Sequence, residues 1–418
     1  MATSSDIDAI ARECRAWLAD NWDGDLALVE WRERLVASGW AVPSWPVEWF
    51  GRGLPTAADR VVADEIRAAG AVGTPLGAGM SLAAPTIMTH GSDELRRRIV
   101  RPTLTGEVTW TQLFSEPGAG SDLAGLSTTA VRDGDDWIVN GQKVWNTSAH
   151  HADLGMLVAR TDWDVPKHQG ISYFVLPMDQ PGVEVRPIVQ MNGHSSFNEV
   201  FLTDARVPAS NLVGELGDGW RVARTTLMHE RTFATLRRPS LPSTGGRTLE
   251  EAAAEAADHF ATYVWYPQRA GRADLVVERA TTLGRTMDPV VREAIAHVLS
   301  FQRVSEWTAR RGQAARALGR APGPEGSLGK LAASELARSS ARVHTRIAGA
   351  PAMLTEADGT EVSDGHAAVI AEVLVSTPAQ SIAGGTDEIQ HNIIGENILG
   401  LPREPAADRD VPFRDVPR

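Results

Sequence analysis

Residues 109–122 read Thr-Trp-Thr-Gln-Leu-Phe-Ser-Glu-Pro-Gly-Ala-Gly-Ser-Asp, and the interpretation of the remaining chain depends on this stretch. Its first six residues include alternating β-forming side chains, which predicts a strand. A proline and two glycines, Gly118 and Gly120, then break the strand and let the backbone approach another group closely. Ser115 and Ser121 place hydroxyls at the two ends of the turn, where free N–H groups could hold an anion such as a pyrophosphate. An ordinary loop explains these residues equally well.

The composition limits the classes of protein to which the chain can belong. Its 418 residues are enough for about three domains. The net charge of −12, from 41 basic and 53 acidic residues, argues against nucleic acid as a partner. The single cysteine, Cys14, excludes an internal disulfide and fits a reducing, cytoplasmic location. We expect neither a signal peptide nor a membrane span, because no stretch has the required pattern or apolar length.

Two regions of different periodicity make up the first half of the chain. Residues 1–105 have apolar side chains at helical spacing, which predicts an N-terminal helical domain. The predicted helices cover residues 7–22, 26–38, 57–69 and 92–104. Residues 106–216 contain short alternating segments separated by turns, which predicts a middle domain built as an antiparallel β-barrel or sandwich. Asn140-Gly141 is interpreted as one of its hairpin turns.

Helical spacing returns at Asp218 and predicts a C-terminal helical domain over residues 217–402. Proline- and glycine-rich breaks at residues 237–246 and 321–324 are expected to be loops. The tail, residues 403–418, mixes proline with charged residues and is predicted to be extended. The expected fold class is α+β and mostly α, because one β-domain lies between two helical domains.

One acidic residue interrupts the apolar face of the first helix after the β-region. Asp218 can cap this helix. The face that carries Glu230 also carries Ala223, Leu227 and Ala234. A carboxylate on such a face is costly unless it is paired or protonated. Glu230 is therefore either part of a structural salt bridge or a buried general base, and the helical pattern leaves both open.

A second glycine-rich motif lies near the C-terminus, where residues 383–390 read Ala-Gly-Gly-Thr-Asp-Glu-Ile-Gln. Thr386 can cap a final helix whose dipole favours the two acidic residues of its first turn. A well-capped helix explains the pattern by itself. Ligand binding at this helix N-terminus would need the Gly384-Gly385 pair for backbone access.

Three motifs occur in one order: residues 112–122, then Gly-Gln-Lys-Val-Trp-Asn-Thr at 141–147, then Gly-Gly-Thr-Asp-Glu-Ile-Gln at 384–390. In this order the chain resembles the acyl-CoA dehydrogenase family over nearly its whole length. The resemblance implies N-terminal helices, a middle β-domain and a C-terminal four-helix bundle. It also implies an FAD cofactor, no metal, an acyl-CoA substrate that gains a 2,3-trans double bond, and an electron-transfer flavoprotein as acceptor.

The resemblance implies a role for individual motif residues. The first motif would run along the flavin ring through backbone atoms, and its second glycine and final serine would hold the pyrophosphate. The tryptophan of the second motif would pack on the ring, and the last motif would meet the ADP half. The implied cofactor residues are Gln112, Leu113, Phe114, Ser115, Gly120, Ser121, Trp145, Asn146, Thr147, Thr386 and Glu388. The implied substrate residues are Ser121, Arg231, Gly384 and Gly385.

The resemblance also suggests which carboxylate is the catalytic base. In many family members a glutamate lies directly before the Gly-Thr pair of the last motif, where this chain has Gly384. A branch that resembles isovaleryl-CoA dehydrogenase instead carries its base on the first helix of the C-terminal domain, directly before an arginine. Glu230-Arg231 occupies that place here, so Glu230 is predicted to be the base.

Two departures from the family pattern concern the neighbouring subunit. Members usually carry Arg-x-x-Phe-Gly, but the nearest stretch, residues 279–284, has another spacing and no phenylalanine. The usual Gly-Gly-x-Gly segment is also absent from residues 346–353. The pattern resembles actinobacterial dehydrogenases of steroid and lipid breakdown, which are hetero-oligomers. It therefore favours a hetero-oligomer with a related subunit over a homo-oligomer.

Two further alternatives stay open. The chain could be an oxygen-using acyl-CoA oxidase or a flavin monooxygenase of the same fold. It could also be a catalytically silent subunit of a dehydrogenase complex, although the presence of Glu230 argues against this.

Overall fold

A computed structural model describes residues 4–233, 245–317, 320, 323–350, 366–403, 405, 408 and 410–416. The chain forms two compact units. The first unit comprises Met1–Ile188, Ser196–Thr262 and Ala407–Arg418, and the second comprises Val189–Ser195 and Tyr263–Ala406. The predicted order of a helical, a β and a helical region is confirmed. The four predicted domain ranges stay a prediction.

The N-terminal part of the first unit is helical. Its helices are α1 Ser4–Asn21, α2 Leu28–Ala37, α3 Ala57–Ala68, α4 Ala84–His90 and α5 Asp93–Thr105. The sequence predicted four of them within three residues, but it missed α4 and the π-helical turn Gly79–Ala83 before it, because Pro85 interrupts the helical spacing. Cys14 is completely buried in this core, and burial raises the pKa of its thiol to about 11, so it is an unreactive packing residue.

The middle of the first unit is one eight-stranded sheet. Its strands are β1 Trp110–Leu113, β2 Thr129–Asp133, β3 Asp136–Thr147, β4 Leu154–Arg160, β5 Ile171–Pro177, β6 Val183–Ile188, β7 Phe197–Pro208 and β8 Leu212–Val213. They run in the order β6-β7-β3-β2-β4-β5-β8, and β1 pairs with β4. Most pairs are antiparallel as predicted, but β1 and β2 each lie parallel to β4, which the alternation of side chains could not reveal.

The predicted hairpin at Asn140-Gly141 is wrong. Strand β3 runs without a turn through both residues, and the hairpin lies earlier, at Gly134, whose φ is +59°. Gly141 instead faces Thr128, because a Cβ on Gly141 would lie only 2.3 Å from the Thr128 hydroxyl. The glycine therefore allows close approach within the sheet, and the Asn140 amide bonds the Asp204 carboxylate across it.

Helices follow the sheet in both units. The first unit adds α6 Gly219–Phe233 and α7 Arg247–Ala261. The second unit contains α8 Tyr266–Arg269, α9 Val276–Thr282, α10 Pro289–Ala317, α11 Glu325–Ala348, α12 Ala367–Ser376, α13 Pro378–Ile382 and α14 Asp387–Ile393. Of the predicted break at 321–324, residues 323 and 324 directly precede α11, and residues 321 and 322 lie outside the described residues. Most of the predicted loop 237–246, and Ala234 on the predicted face of α6, lie outside the described residues.

One helical run of the described residues, Ala367–Ile398, is long and apolar enough to cross a membrane by length and composition. From the sequence we expected no stretch of this apolar length. The run is not continuous, because Pro378 begins a new helix and residues 383–386 separate that helix from the next. Ile370 and Val373 are buried within the second unit. We therefore assign the run to the core of the C-terminal helical region.

The last described residues of the predicted tail pack against other residues of the first unit. Phe413 is buried and lies 3.5 Å below the guanidinium of Arg160. Pro412 forms a bridge with Pro166, and the Phe413 amide donates to the Val165 carbonyl. The aromatic side chain gives this proline-rich segment enough contact to dock.

Candidate functional site

A buried ion pair anchors the glycine-rich turn of the first motif. Glu116 and Ala119 exchange two backbone hydrogen bonds of 3.1 Å, which close the turn. The Lys143 ammonium lies 2.8 Å from the Glu116 carboxylate and also donates to the Phe114 carbonyl. The same carboxylate accepts hydrogen bonds from the Ser127 amide and hydroxyl. Lys143 of the second motif therefore stabilises the buried side of this turn.

Glu116 stays ionised in this buried position. Burial by itself would raise the pKa of Glu116, but the Lys143 ammonium and the surrounding donors outweigh it and lower that pKa to about 2. Neither residue of the pair was predicted from the sequence to have a role. The available signal was a charge inside each quoted motif: Glu116 lies between Ser115 and Pro117, and Lys143 is the one charged residue of 141–147.

The outer side of the turn is open. A Cβ added to Gly118 or Gly120 would meet nothing within 4 Å, so the rest of the chain does not require a glycine at either position. Within the described part of the chain, the amides of Gly120 and Ser121 donate to no other group. Room and free donors on one exposed face are what an anionic ligand needs, so they favour the ligand site over an ordinary loop.

The second motif presents a strained tryptophan. Trp145 has φ of +62° and is 58% exposed, and its ring meets the edge of Phe197 at 5.9 Å. The register of β3 on β7 shifts between Lys143 and Asn146, so a bulge turns this side chain outwards. A bulky residue in the left-handed region costs about 1–3 kcal/mol, and such strain concentrates at functional sites.

Other predicted cofactor residues contribute backbone or structural contacts. The side chains of Leu113 and Phe114 are buried in the core, so only their backbone is available to a ligand. Asn146 is also buried, and its side-chain amide donates to the Gln112 carbonyl at 2.7 Å. The carbonyl of the half-buried Thr147 accepts from the Thr111 hydroxyl. Asn146 therefore joins the two motifs, and the structure gives its side chain no exposed face.

The structure brings the predicted base to the first motif. Glu230 is half-buried on α6, and its Oε2 lies 3.3 Å from Nε2 of Gln112 on β1. On the same helix Ala223 is fully buried and Leu227 half-buried, as the helical pattern predicted. The helix does not begin with the predicted side-chain cap, because the Asp218 carboxylate pairs with Arg221 instead. The side chain of Arg231 lies outside the described residues.

The third motif lies in the second unit. Gly384 and Gly385 have φ of +69° and +84°, which favour glycine. The Thr386 hydroxyl caps α14 by accepting from the Ile389 amide at 3.3 Å, as predicted. Glu388 is exposed in the first turn.

Asp387, the remaining acidic residue of this motif, is engaged in ion pairs. Its carboxylate lies 2.7 Å from the Arg338 guanidinium and 3.3 Å from the Lys330 ammonium. Burial opposes ionisation of Asp387, but these cations and two serine hydroxyls lower its pKa to about 2. Such a carboxylate is a poor proton acceptor at neutral pH.

Arg279 begins the stretch that lies nearest to the family pattern Arg-x-x-Phe-Gly, and its side chain contacts another residue of this chain. Arg279 is buried on α9, and its Nη1 lies 3.0 Å from Nδ1 of His344 on α11. Burial is the main reason that the pKa of His344 falls to about 4, so a neutral imidazole faces the guanidinium. In the part of the chain that the structure describes, no group of three or more potential metal ligands occurs.

Family models match all three regions. The acyl-CoA dehydrogenase N-terminal, middle and C-terminal domains match residues 5–107, 111–205 and 268–399. The chain belongs to the acyl-CoA dehydrogenase family of enzymes, whose members typically bind FAD.

Two relatives from Mycobacterium tuberculosis illustrate the similarity. Acyl-CoA dehydrogenase IpdE1 is 35% identical over 422 residues, which cover 96% of this chain and 99% of IpdE1. Acyl-CoA dehydrogenase FadE34 is 38% identical over 372 residues, which cover 88% of this chain but only 46% of FadE34. The similarity to IpdE1 therefore extends over nearly the whole of both chains.

Two solved structures have the same fold. The ChsE4-ChsE5 complex from Mycobacterium tuberculosis gives a TM-score of 0.63 at 28% identity, over 97% of this chain and 100% of the matched chain. The Tcur3481-Tcur3483 steroid ACAD gives 0.64 at 25% identity, over 96% and 99%. Each structure is described by the names of two proteins, and the first is described as a complex.

Proposed function

We propose that this chain is a catalytic acyl-CoA dehydrogenase subunit that introduces a 2,3-trans double bond into an acyl-CoA thioester, with Glu230 as the base. The observation that carries the proposal is the contact of 3.3 Å between the Glu230 carboxylate and Gln112. It joins the carboxylate selected from the helical pattern to the strand that leads into the glycine-rich turn.

FAD is the proposed cofactor, and the residues fit it. The free amides of Gly120 and Ser121 would hold its pyrophosphate, and the open space above Gly118 and Gly120 leaves room for it. Trp145 would pack on the flavin ring, with Thr147 beside it. When bound, FAD supplies the acceptor for the hydride that leaves the substrate β-carbon.

The chain's own residues would handle the α-proton. Glu230 would remove it, and negative charge would then develop on the thioester oxygen. The family resemblance assigns the stabilising hydrogen bonds to the backbone amides of Gly384 or Gly385, whose positive φ values fit a turn of exposed amides. Asp387 does not offer a competing base, because its paired carboxylate already has a low pKa.

The proposed substrate class is a lipid or steroid side-chain CoA thioester. The solved structure described as a steroid ACAD supports it, because its fold covers nearly the whole of this chain. We propose a related acyl-CoA dehydrogenase-like chain as the partner subunit, by analogy with the two structures whose descriptions name two proteins. An electron-transfer flavoprotein is the proposed acceptor, and the cytoplasm the proposed location.

Glu230→Gln tests the assignment. The amide is nearly isosteric but cannot take a proton, so we expect the rate of flavin reduction by acyl-CoA to fall by about 10²–10⁴-fold or more. Stopped-flow absorbance of the co-purified complex measures this rate. Glu250→Gln, an exposed glutamate on α7, is the matched control.

Two outcomes would contradict the proposal. A Glu230→Gln variant that reduces its flavin as fast as the parent removes the base assignment. Hydrogen peroxide formed in an amount equal to the substrate consumed, without any added acceptor, favours an oxygen-using oxidase instead.

A second test adds Gly384→Glu to the Glu230→Gln variant. This change restores a carboxylate at the other position where family members carry the base, and it should recover some of the rate.

A further inference from the structure

We propose that the side-chain amide of Gln112 positions the Glu230 carboxylate for proton abstraction, an inference that rests on the proposed role of Glu230. The Gln112 Nε2 donates to Glu230 Oε2 at 3.3 Å. The family resemblance gives Gln112 a contact with the flavin that is made largely through backbone atoms, so this side-chain role is separate. Gln112 is a positioning residue, because it acts through Glu230.

Hydrogen bonds hold the backbone of Gln112 in place. The Gln112 carbonyl accepts from the side-chain amide of Asn146 at 2.7 Å, and the Asn146 carbonyl accepts from the Asn198 amide at 2.9 Å. Asn146 and Asn198 are both buried, and they belong to β3 and β7. The next residue along β1, Leu113, is fully buried. The backbone from which the Gln112 side chain projects therefore has little freedom.

The Glu230 end is also anchored, one helical turn earlier. The Thr226 hydroxyl lies 3.0 Å from the Thr86 hydroxyl on α4 and 3.2 Å from the Tyr173 hydroxyl on β5. All three side chains are buried. Neighbouring Thr225 bonds Nε2 of His90 at 2.7 Å. Since residues 226 and 230 lie on one face of α6, these bonds fix the turn that leads to Glu230.

A hydrogen bond between two anchored residues restricts the glutamate side chain. A free glutamate samples several rotamers, and only some present a carboxylate oxygen to a substrate. The hydrogen bond from Gln112 to Oε2 therefore reduces the number of rotamers that the Glu230 side chain samples. A neutral amide is suited to this task because it neither repels the carboxylate nor competes for the proton.

Gln112→Met is the sharpest single test, because methionine has a similar shape and no donor. We expect flavin reduction by saturating acyl-CoA to slow by about 10- to 100-fold, the scale of a misplaced catalytic group. We expect the dissociation constant for acyl-CoA, measured by equilibrium dialysis, to stay unchanged. Gln169→Met makes the same chemical change at an exposed position and should behave like the parent.

A second measurement does not use catalysis. Thermal unfolding of the holo-complex is compared for Gln112→Met, Glu230→Met, which removes the acceptor, and the double variant. If the two side chains contact each other, the two single losses in Tm do not add up in the double variant. Additive Tm losses together with a parental rate for Gln112→Met would overturn the inference.

The two proposals fail in different ways. If Glu230→Gln keeps the parental rate, the proposed function is wrong and the positioning role falls with it. If Glu230→Gln abolishes flavin reduction while Gln112→Met leaves it at the parental rate, Glu230 remains the base and only the role of Gln112 is wrong.

Discussion

The buried ion pair between Lys143 and Glu116 should contribute to the stability of the fold. Lys143→Met would leave the buried Glu116 carboxylate without its cation, and breaking a buried pair costs about 3–5 kcal/mol. Urea unfolding at neutral pH measures this loss. The exposed pair formed by Arg186 and Glu184 provides the control, because Arg186→Met should change the unfolding curve little.

The stabilising effect of Glu116 should also depend on pH. Its pKa falls from 4.5 to about 2 on folding, so its contribution is fully present above pH 4.5 and is lost as the pH falls towards 2. The difference in unfolding free energy between the parent and Glu116→Gln should therefore shrink over that range. A difference that grows in acid would contradict the assignment of an ionised Glu116.

Ser121 tests the pyrophosphate site. Ser121→Asp would place a negative charge at the open face of the turn, against the proposed pyrophosphate. Two like charges 4 Å apart near a protein surface repel by about 4 kcal/mol, which weakens binding about a thousandfold. We expect the purified variant to lose its visible flavin absorbance. Ser121→Asn, similar in size but neutral, should keep more flavin, and full absorbance in Ser121→Asp would argue against the placement.

At the scale of elements, the C-terminal segment and the sheet depend on each other. Phe413→Ala removes the ring beneath Arg160, and such truncations of buried phenylalanine cost about 3–5 kcal/mol. We expect the segment to undock and trypsin to cleave sooner at Arg403 or Arg414. Val131→Ala, at an exposed position on β2, is the control. Unchanged proteolysis in Phe413→Ala would show that the docking does not depend on the ring.

The segment also reaches the loop beside the glycine-rich turn. Lys167 bridges Asp408 of the tail and Asp122, which directly follows Ser121. An element that the sequence suggested to be an extended tail thus contacts the neighbourhood of the proposed cofactor site.

At the scale of the whole molecule, the expected assembly contains a related second chain. The family pattern Arg-x-x-Phe-Gly, which contacts the neighbouring subunit, has no counterpart here at the usual spacing. The nearest arginine, Arg279, is buried and contacts His344. We expect the chain expressed alone not to form a homotetramer with FAD on every chain. Co-expression with its related subunit should give a stable flavin-containing complex. Native mass spectrometry distinguishes the two, and a fully flavinated homotetramer would contradict the heteromeric proposal.

The order of the three regions could be predicted from the sequence, because each secondary structure imposes its own period on apolar residues. The period of 3.6 changes to alternation near residue 106 and returns near Asp218. The same local logic identified the Thr386 cap and the apolar face that carries Glu230. It failed at Asn140-Gly141, where a dipeptide typical of hairpins lies inside a continuous strand because Gly141 must pass close to Thr128.

The sequence by itself therefore determined the fold class, the three motifs and the carboxylate to examine, since these depend on neighbours within a few turns or strands. Only the tertiary structure decided what those residues touch. Gln112 contacts Glu230, which lies 118 positions away in the sequence, and Lys143 contacts Glu116, which lies 27 positions away. Arg279 meets His344 across 65 positions. Such pairs have no local period, because they form only when loop closure and core packing bring distant elements together.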